Sequence, residues 1–94
     1  MTENSAVLIG KKPTMNYVLA CITFFHSGAE AVSIKARGRS ICRAIDVAEV
    51  VRHKFLPNVK IKSINIGTDR FLQQDQEEGN QGTNVSTIEI TLAR

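Results

Sequence analysis

Twice in its first half this chain passes from an apolar stretch of strand character, through a short basic turn, into an apolar pattern of helical period. The first unit is Ala6-Val7-Leu8-Ile9-Gly10, then Lys11-Lys12, then Pro13 where a first helical residue belongs. Its continuous apolar run predicts a strand buried on both faces. Met15, Val18, Leu19, Ile22 and Phe25 follow at i, i+3, i+4, i+7 and i+10, and Gly28 closes the helix as its C-terminal cap. In the second unit Val32, Ile34 and Ala36 alternate with Ser33, Lys35 and Arg37, so one face is apolar and the other carries two cations. Gly38 marks a turn, and Ser40 or its neighbour stands where a helix cap belongs. Ile41, Ala44, Ile45, Ala48, Val51 and Phe55 form the second helical stripe, which Pro57 stops.

The second half predicts strands. Val59-Lys60-Ile61-Lys62 alternates, but Ile64 and Ile66 fall on the opposite parity, which places a bulge or bend near Ser63. Residues 69–84 are polar, and residues 85–92 alternate again with Ile88, Ile90 and Leu92 on one face. Two strands joined by a long polar tip form a hairpin arm, and a loop of that length is as a rule functional or mobile. The order βαβαββ predicts an α+β two-layer sandwich, a mixed four-stranded sheet with two helices on one face. The 94 residues make one domain, residues 1–94, with a polar tail at 1–5 and a hairpin tip at 71–84. A chain this short buries roughly 60–65% of its unfolded surface, so pairing with a second copy would add to a thin core.

The net charge of +3 hides a partition. Residues 11–62 hold ten Lys and Arg against Glu30, Asp46 and Glu49, a net +7; residues 63–94 hold two against five acids, a net −3. A polyanion would favour the first part. If the two strands run the same way in one sheet, both basic turns lie on one edge. Cations held at the ends of rigid elements grip phosphates, and each neutralised phosphate releases condensed counterions. In Arg37-Gly38-Arg39 the glycine permits a sharp turn or a close approach, and each guanidinium takes a phosphate bidentately. Arg43, four residues after Arg39, either extends that row or pairs with Asp46. The only aromatic residues are Tyr17, Phe24, Phe25, Phe55 and Phe71, too few for a base-stacking platform, so recognition of backbone and shape with little sequence preference is expected. Phe55 either packs in the core or forms an exposed self-association patch.

Other classes find little support. Gly10-Lys11-Lys12-Pro13 lacks the Gly-x4-Gly-Lys-Ser/Thr pattern of a nucleotide-hydrolysing loop. Neither His26 nor His53 accompanies a plausible nucleophile, and Asp75, Glu77 and Glu78 cluster in the polar loop, so no enzyme activity, cofactor or metal is expected. Cys21 and Cys42 form no CxxC pair and fall in helical patterns, as buried thiols of a reducing compartment would. No apolar run approaches the ~18–20 residues of a membrane span, and the first ten residues lack a basic start and a long apolar stretch. A cytoplasmic protein without membrane partners is expected.

The run from Val7 through Gly10-Lys11-Lys12-Pro13-Thr14-Met15-Asn16-Tyr17 to Val18 resembles the opening signature of the Alba family of archaeal chromatin proteins. Ile34-Lys35-Ala36-Arg37-Gly38-Arg39 with Ile41, Val51-Arg52 with Phe55-Leu56-Pro57, and Val85-Ser86-Thr87-Ile88-Glu89-Ile90 match further family motifs. The resemblance implies a homodimer that binds double-stranded DNA, and also RNA, without sequence preference, located on the chromosome (nucleoid). It implies acetylation at Lys11 that lowers affinity, and a contact between neighbouring dimers at Phe55. The expected nucleic-acid-binding set is Lys11, Lys12, Asn16, Lys35, Arg37, Arg39 and Arg43. One departure stands out: family hairpin tips often carry arginine, whereas residues 71–84 hold no Lys or Arg and three acids. That leaves Gln73, Gln74, Asn80 and Gln81 as polar contacts, or an arm that stays off the phosphates, with Arg70 at its base. Two alternatives keep the surface and change the partner: an RNA chaperone or ribonucleoprotein subunit, and a purely structural assembly protein.

Overall fold

Both strand–helix units form where the periodicities place them. A computed structural model describes residues 5–71 and 83–94. Strand β1 is Ser5–Leu8, helix α1 Thr14–His26, strand β2 Ala31–Arg37 and helix α2 Ile41–Val50. A 3₁₀ turn, Gly38–Ser40, precedes α2 and a π turn, Val51–Phe55, follows it. Strands β3, Lys60–Phe71, and β4, Thr83–Ala93, pair as the predicted hairpin up to Phe71 and Thr83. The sheet order is β1-β2-β4-β3, with β1 parallel to β2 and β4 antiparallel to both its neighbours. This is the expected mixed four-stranded sheet under two helices.

The register explains the core. Val32 lies opposite Leu92, and Ile34 opposite Ile90; all four are buried beneath the helices. Lys35 and Arg37, on the alternate parity, point to the helix-free face. Phe25 is the largest fully buried side chain; its carbonyl accepts a hydrogen bond from Arg94, whose guanidinium also lies 5.7 Å from the ring centre. Helix α1 ends at Gly28, whose φ of +107° an L side chain rarely adopts. The amides of Gly28 and Ala29 return to the carbonyls of Phe25 and Phe24, which satisfies two of the last helical acceptors. The bulge falls between Ile61 and Ser63, as the parity slip requires.

Several expectations need correction. The run at residues 6–10 is not buried on both faces: β1 is an edge strand with Val7 and Ile9 inside and Leu8 71% exposed. The buried stripe of α1 is Tyr17, Val18, Cys21 and Phe25, while Met15 and Leu19 face out. The helix is thus turned towards the side on which the Tyr17 hydroxyl finds partners. In α2 the buried stripe is Ala44, Val47 and Ala48, continued by Val51, and Ile45 faces out. Ser40 occupies the cap position of α2, but its side chain makes no capping hydrogen bond. Only one thiol is buried. Burial pushes Cys21 up to about 12, so it stays protonated and inert, whereas Cys42 is exposed.

Phe55 is also displaced from its stripe. The Leu56 amide bonds to the Val51 carbonyl, five residues back. A turn with that spacing rotates less per residue than an α-helix. Phe55 lies on that turn and stands 44% exposed, although Val51, four residues before it, is buried. Of the two readings open in the sequence, packing in the core does not hold, since the side chain is exposed.

Candidate nucleic-acid interface

Parallel pairing of β1 with β2 decides where the charges go. Leu8 lies opposite Lys35, and the Ile9 amide bonds to the Lys35 carbonyl, so the two strands finish side by side. The turns that follow them leave from one edge of the sheet. Lys11 and Lys12 in the first turn, Asn16 in the first turn of α1, and Arg39 in the second turn are all exposed. Lys35 and Arg37 project from the last residues of β2 onto the helix-free face beside that edge. Helices α1 and α2 both begin at this edge, and neither has an acidic residue in its first turn or a side-chain cap. Their positive dipole ends add to the field of the cations.

The first corner is tightly held. The Gly10 and Lys12 amides both donate to the Tyr17 hydroxyl, at 2.9 and 3.0 Å. The Gly10 carbonyl accepts a hydrogen bond from Arg43 Nη1 at 2.7 Å. Arg43 is half-buried behind the turn, and its bond goes to the backbone at residue 10, not to Asp46. The second corner relies on backbone shape. Gly38 has a φ of +60°, and Arg37 Nη1 lies 3.7 Å from Asp69 Oδ2 with both side chains more than half exposed. An ion pair that open and that long is worth little.

On the helix-free face beside that edge, cations and acids stand together. A shallow concavity of ≈ 690 Å³ on the helix-free face is lined by Leu8, Lys35, Arg37, Asn65, Asp69 and Glu89 among others. Lys35 is directly opposite Glu89 across the β2–β4 ladder. Acids thus accompany Lys35 and Arg37 on this face, whereas Lys11, Lys12 and Arg39 lie exposed in the two turns. At the far end of α2, Glu49 accepts hydrogen bonds from Arg52 and His53. Against the desolvation that would raise it, the bonds from His53 and Arg52 hold the Glu49 carboxyl below its usual range.

Sequence reasoning missed Tyr17 and Asp69. Tyr17 carries a signal: a tyrosine on a buried helix face brings a hydroxyl that needs partners, and the nearest amides are those of the preceding turn. Asp69 carries none, because its proximity to Arg37 depends on the β3–β4 register. Gln73, Gln74, Asn80, Gln81, Asp75, Glu77 and Glu78 lie outside the described residues. Among the described residues, no group of three His, Cys, Asp or Glu is placed to hold a metal ion, and no helix is long and apolar enough to cross a membrane.

The fold and the ridge define a class: a small α+β domain whose charged surface is a sheet edge built from two strand-to-helix corners. The family is Alba, to which this chain belongs; the family model matches residues 5–68. The chain is 60% identical over 94 residues to DNA/RNA-binding protein Alba 1 of Archaeoglobus fulgidus, covering all of this chain and 99% of that protein. It is 48% identical over 95 residues to DNA/RNA-binding protein Alba of Thermoplasma volcanium, covering both chains in full. The solved structure of Alba from Thermoplasma volcanium superposes with a TM-score of 0.85 at 47% identity, over 96% of this chain and all of that one. ALBA1 from Trypanosoma brucei shares the fold, with a TM-score of 0.74 at 21% identity over this whole chain and 72% of the other.

Proposed function

We propose that this protein binds double-stranded DNA, and also RNA, through phosphate contacts that do not read sequence. The observation that carries this reading is the convergence of Lys11, Lys12, Lys35, Arg37 and Arg39 at one sheet edge, set by the parallel β1–β2 pair. Asn16 adds a neutral donor at the start of α1, and Arg43 supports the ridge from behind. The names of the relatives, DNA/RNA-binding proteins, support the same partners. Acetylation of Lys11 would remove one cation from the ridge and weaken binding.

The working unit in this reading is a homodimer. Ile61, Ile64 and Ile66 of β3 share the helix-bearing side of the sheet with Leu92, Ile90 and Ile88. The helices rest on β1, β2 and β4, so the three β3 isoleucines stand 37, 51 and 81% exposed. A second copy would cover them and double the number of basic ridges, which raises avidity without new contacts. Phe55, exposed on its π turn, would then mediate contact between neighbouring dimers that coat and compact chromosomal DNA in the cytoplasm.

Binding to a short duplex across a series of salt concentrations tests the mechanism. With about six phosphates neutralised per dimer, log K falls against log salt with a slope of roughly −5; a slope near zero rejects it. Competition between duplex DNA and structured RNA at fixed salt ranks the partners. Sedimentation should show a dimer that Ile64→Asp converts to monomer; a wild-type monomer rejects the pairing.

A further inference from the structure

We infer that Tyr17 is a positioning residue for nucleic-acid binding: its hydroxyl holds the lysine turn in the shape that presents Lys11 and Lys12. The inference rests on the reading of the basic ridge as a phosphate-binding surface. The connection between β1 and α1 is residues 9–13, outside regular structure, and it carries two of the ridge cations. Left to itself such a loop samples many shapes, and fixing each residue costs about 1–2 kcal/mol. Here the Gly10 and Lys12 amides converge on one oxygen of a side chain only 8% exposed. They straddle Lys11, so the backbone on both sides of that residue is fixed before any ligand arrives.

The chemistry of the phenol makes the role specific. A hydroxyl oxygen accepts two hydrogen bonds and donates one. Two N–H groups converging on one point are the arrangement that binds an anion in many phosphate loops. In this turn that point is filled by Tyr17, so the backbone amides of Gly10 and Lys12 do not serve as an anion nest. Phosphate contact at this corner is left to the lysine side chains, which the tyrosine aims. Arg43 completes the frame from α2 by holding the Gly10 carbonyl. The corner is thus braced by both helices, and the ordering cost of binding is met during folding.

Tyr17→Phe removes the oxygen and keeps the ring. The variant is expected to keep its fold and its salt slope, because no charge is removed. Its affinity for duplex DNA should fall about three- to tenfold, the effect of losing one or two net hydrogen bonds. Amide hydrogen exchange in the free protein should speed up at Gly10 and Lys12 and stay unchanged at the second corner. In a background of Lys11→Gln with Lys12→Gln, the same substitution should have little further effect, since the groups it positions are gone. An unchanged affinity for Tyr17→Phe, or a full effect in the background without Lys11 and Lys12, overturns the inference. A flat salt dependence of the wild type instead rejects the phosphate surface itself, so the two failures are distinguishable. Should Tyr17→Phe not fold, Arg43→Gln cuts the other brace and enters the same cycle; because it also removes a charge, its readout is the affinity loss at fixed salt, which should largely vanish in the Lys11→Gln, Lys12→Gln background and overturns the inference if it does not.

Discussion

The two basic corners follow the same pattern in sequence but are held differently in space. The first is tied by side chains: Tyr17 from α1 and Arg43 from α2 grip the backbone of Gly10 and Lys12. The second is shaped by its own backbone, with Gly38 at φ +60° leading into the Gly38–Ser40 turn, and it has an acid, Asp69, within reach of Arg37. One sequence pattern is therefore built in two ways. A corner fixed from outside keeps its lysines in place at the expense of two interior polar groups. The corner shaped by glycine instead sets Arg37 beside an acidic neighbour.

Replacing the cations of each corner separately gives the largest effect. Lys11→Gln with Lys12→Gln, and Arg37→Ala with Arg39→Ala, should each lower duplex affinity on the order of 100-fold in a dimer and flatten the salt slope by about 0.9 for every phosphate no longer neutralised. A corner whose double replacement leaves both quantities unchanged is not part of the interface. Next comes the backbone. Gly38→Ala forces an L side chain into the left-handed region at roughly 1–2 kcal/mol, which should lower Tm by about 5–10 °C in a domain this small. An unchanged Tm would mean that the second corner does not depend on that conformation. The smallest effect concerns tempering. Asp69→Asn removes the acid from an exposed pair worth about 0–1 kcal/mol, so affinity at low salt should rise about two- to threefold with the first corner unaffected. A fall in affinity would make Asp69 a contact in its own right.

Much of this was legible in the residues. Periodicity 2 changing to 3.6 twice marked both strand–helix units, Gly28 marked the end of α1, and the parity slip at Ser63 located the bulge. The ridge was legible as soon as the first two strands were taken as parallel, because both turns then share an edge. What the pattern did not reveal was rotation and termination. The α1 stripe turned towards Tyr17, since a hydrogen bond to a turn is invisible to a hydrophobic period. Phe55 stands exposed on the π turn that follows α2, which a hydrophobic period alone does not reveal. Arg43 was open between a phosphate and Asp46, and the structure shows a third partner, the Gly10 carbonyl, which only folding brings near.

The bulge in β3 has a consequence for solubility. β3 is the outer strand of the sheet, twelve residues long, and its free rim offers unpaired backbone groups to any other extended chain. Long regular rims of this kind seed cross-β stacking. Here the extra residue inserted at the break in the ladder is Lys62, with Lys60 close by. An ammonium at an irregular step makes the rim a poor template, so the molecule can keep a row of isoleucines ready for a chosen partner while discouraging fibril growth from the margin beside it.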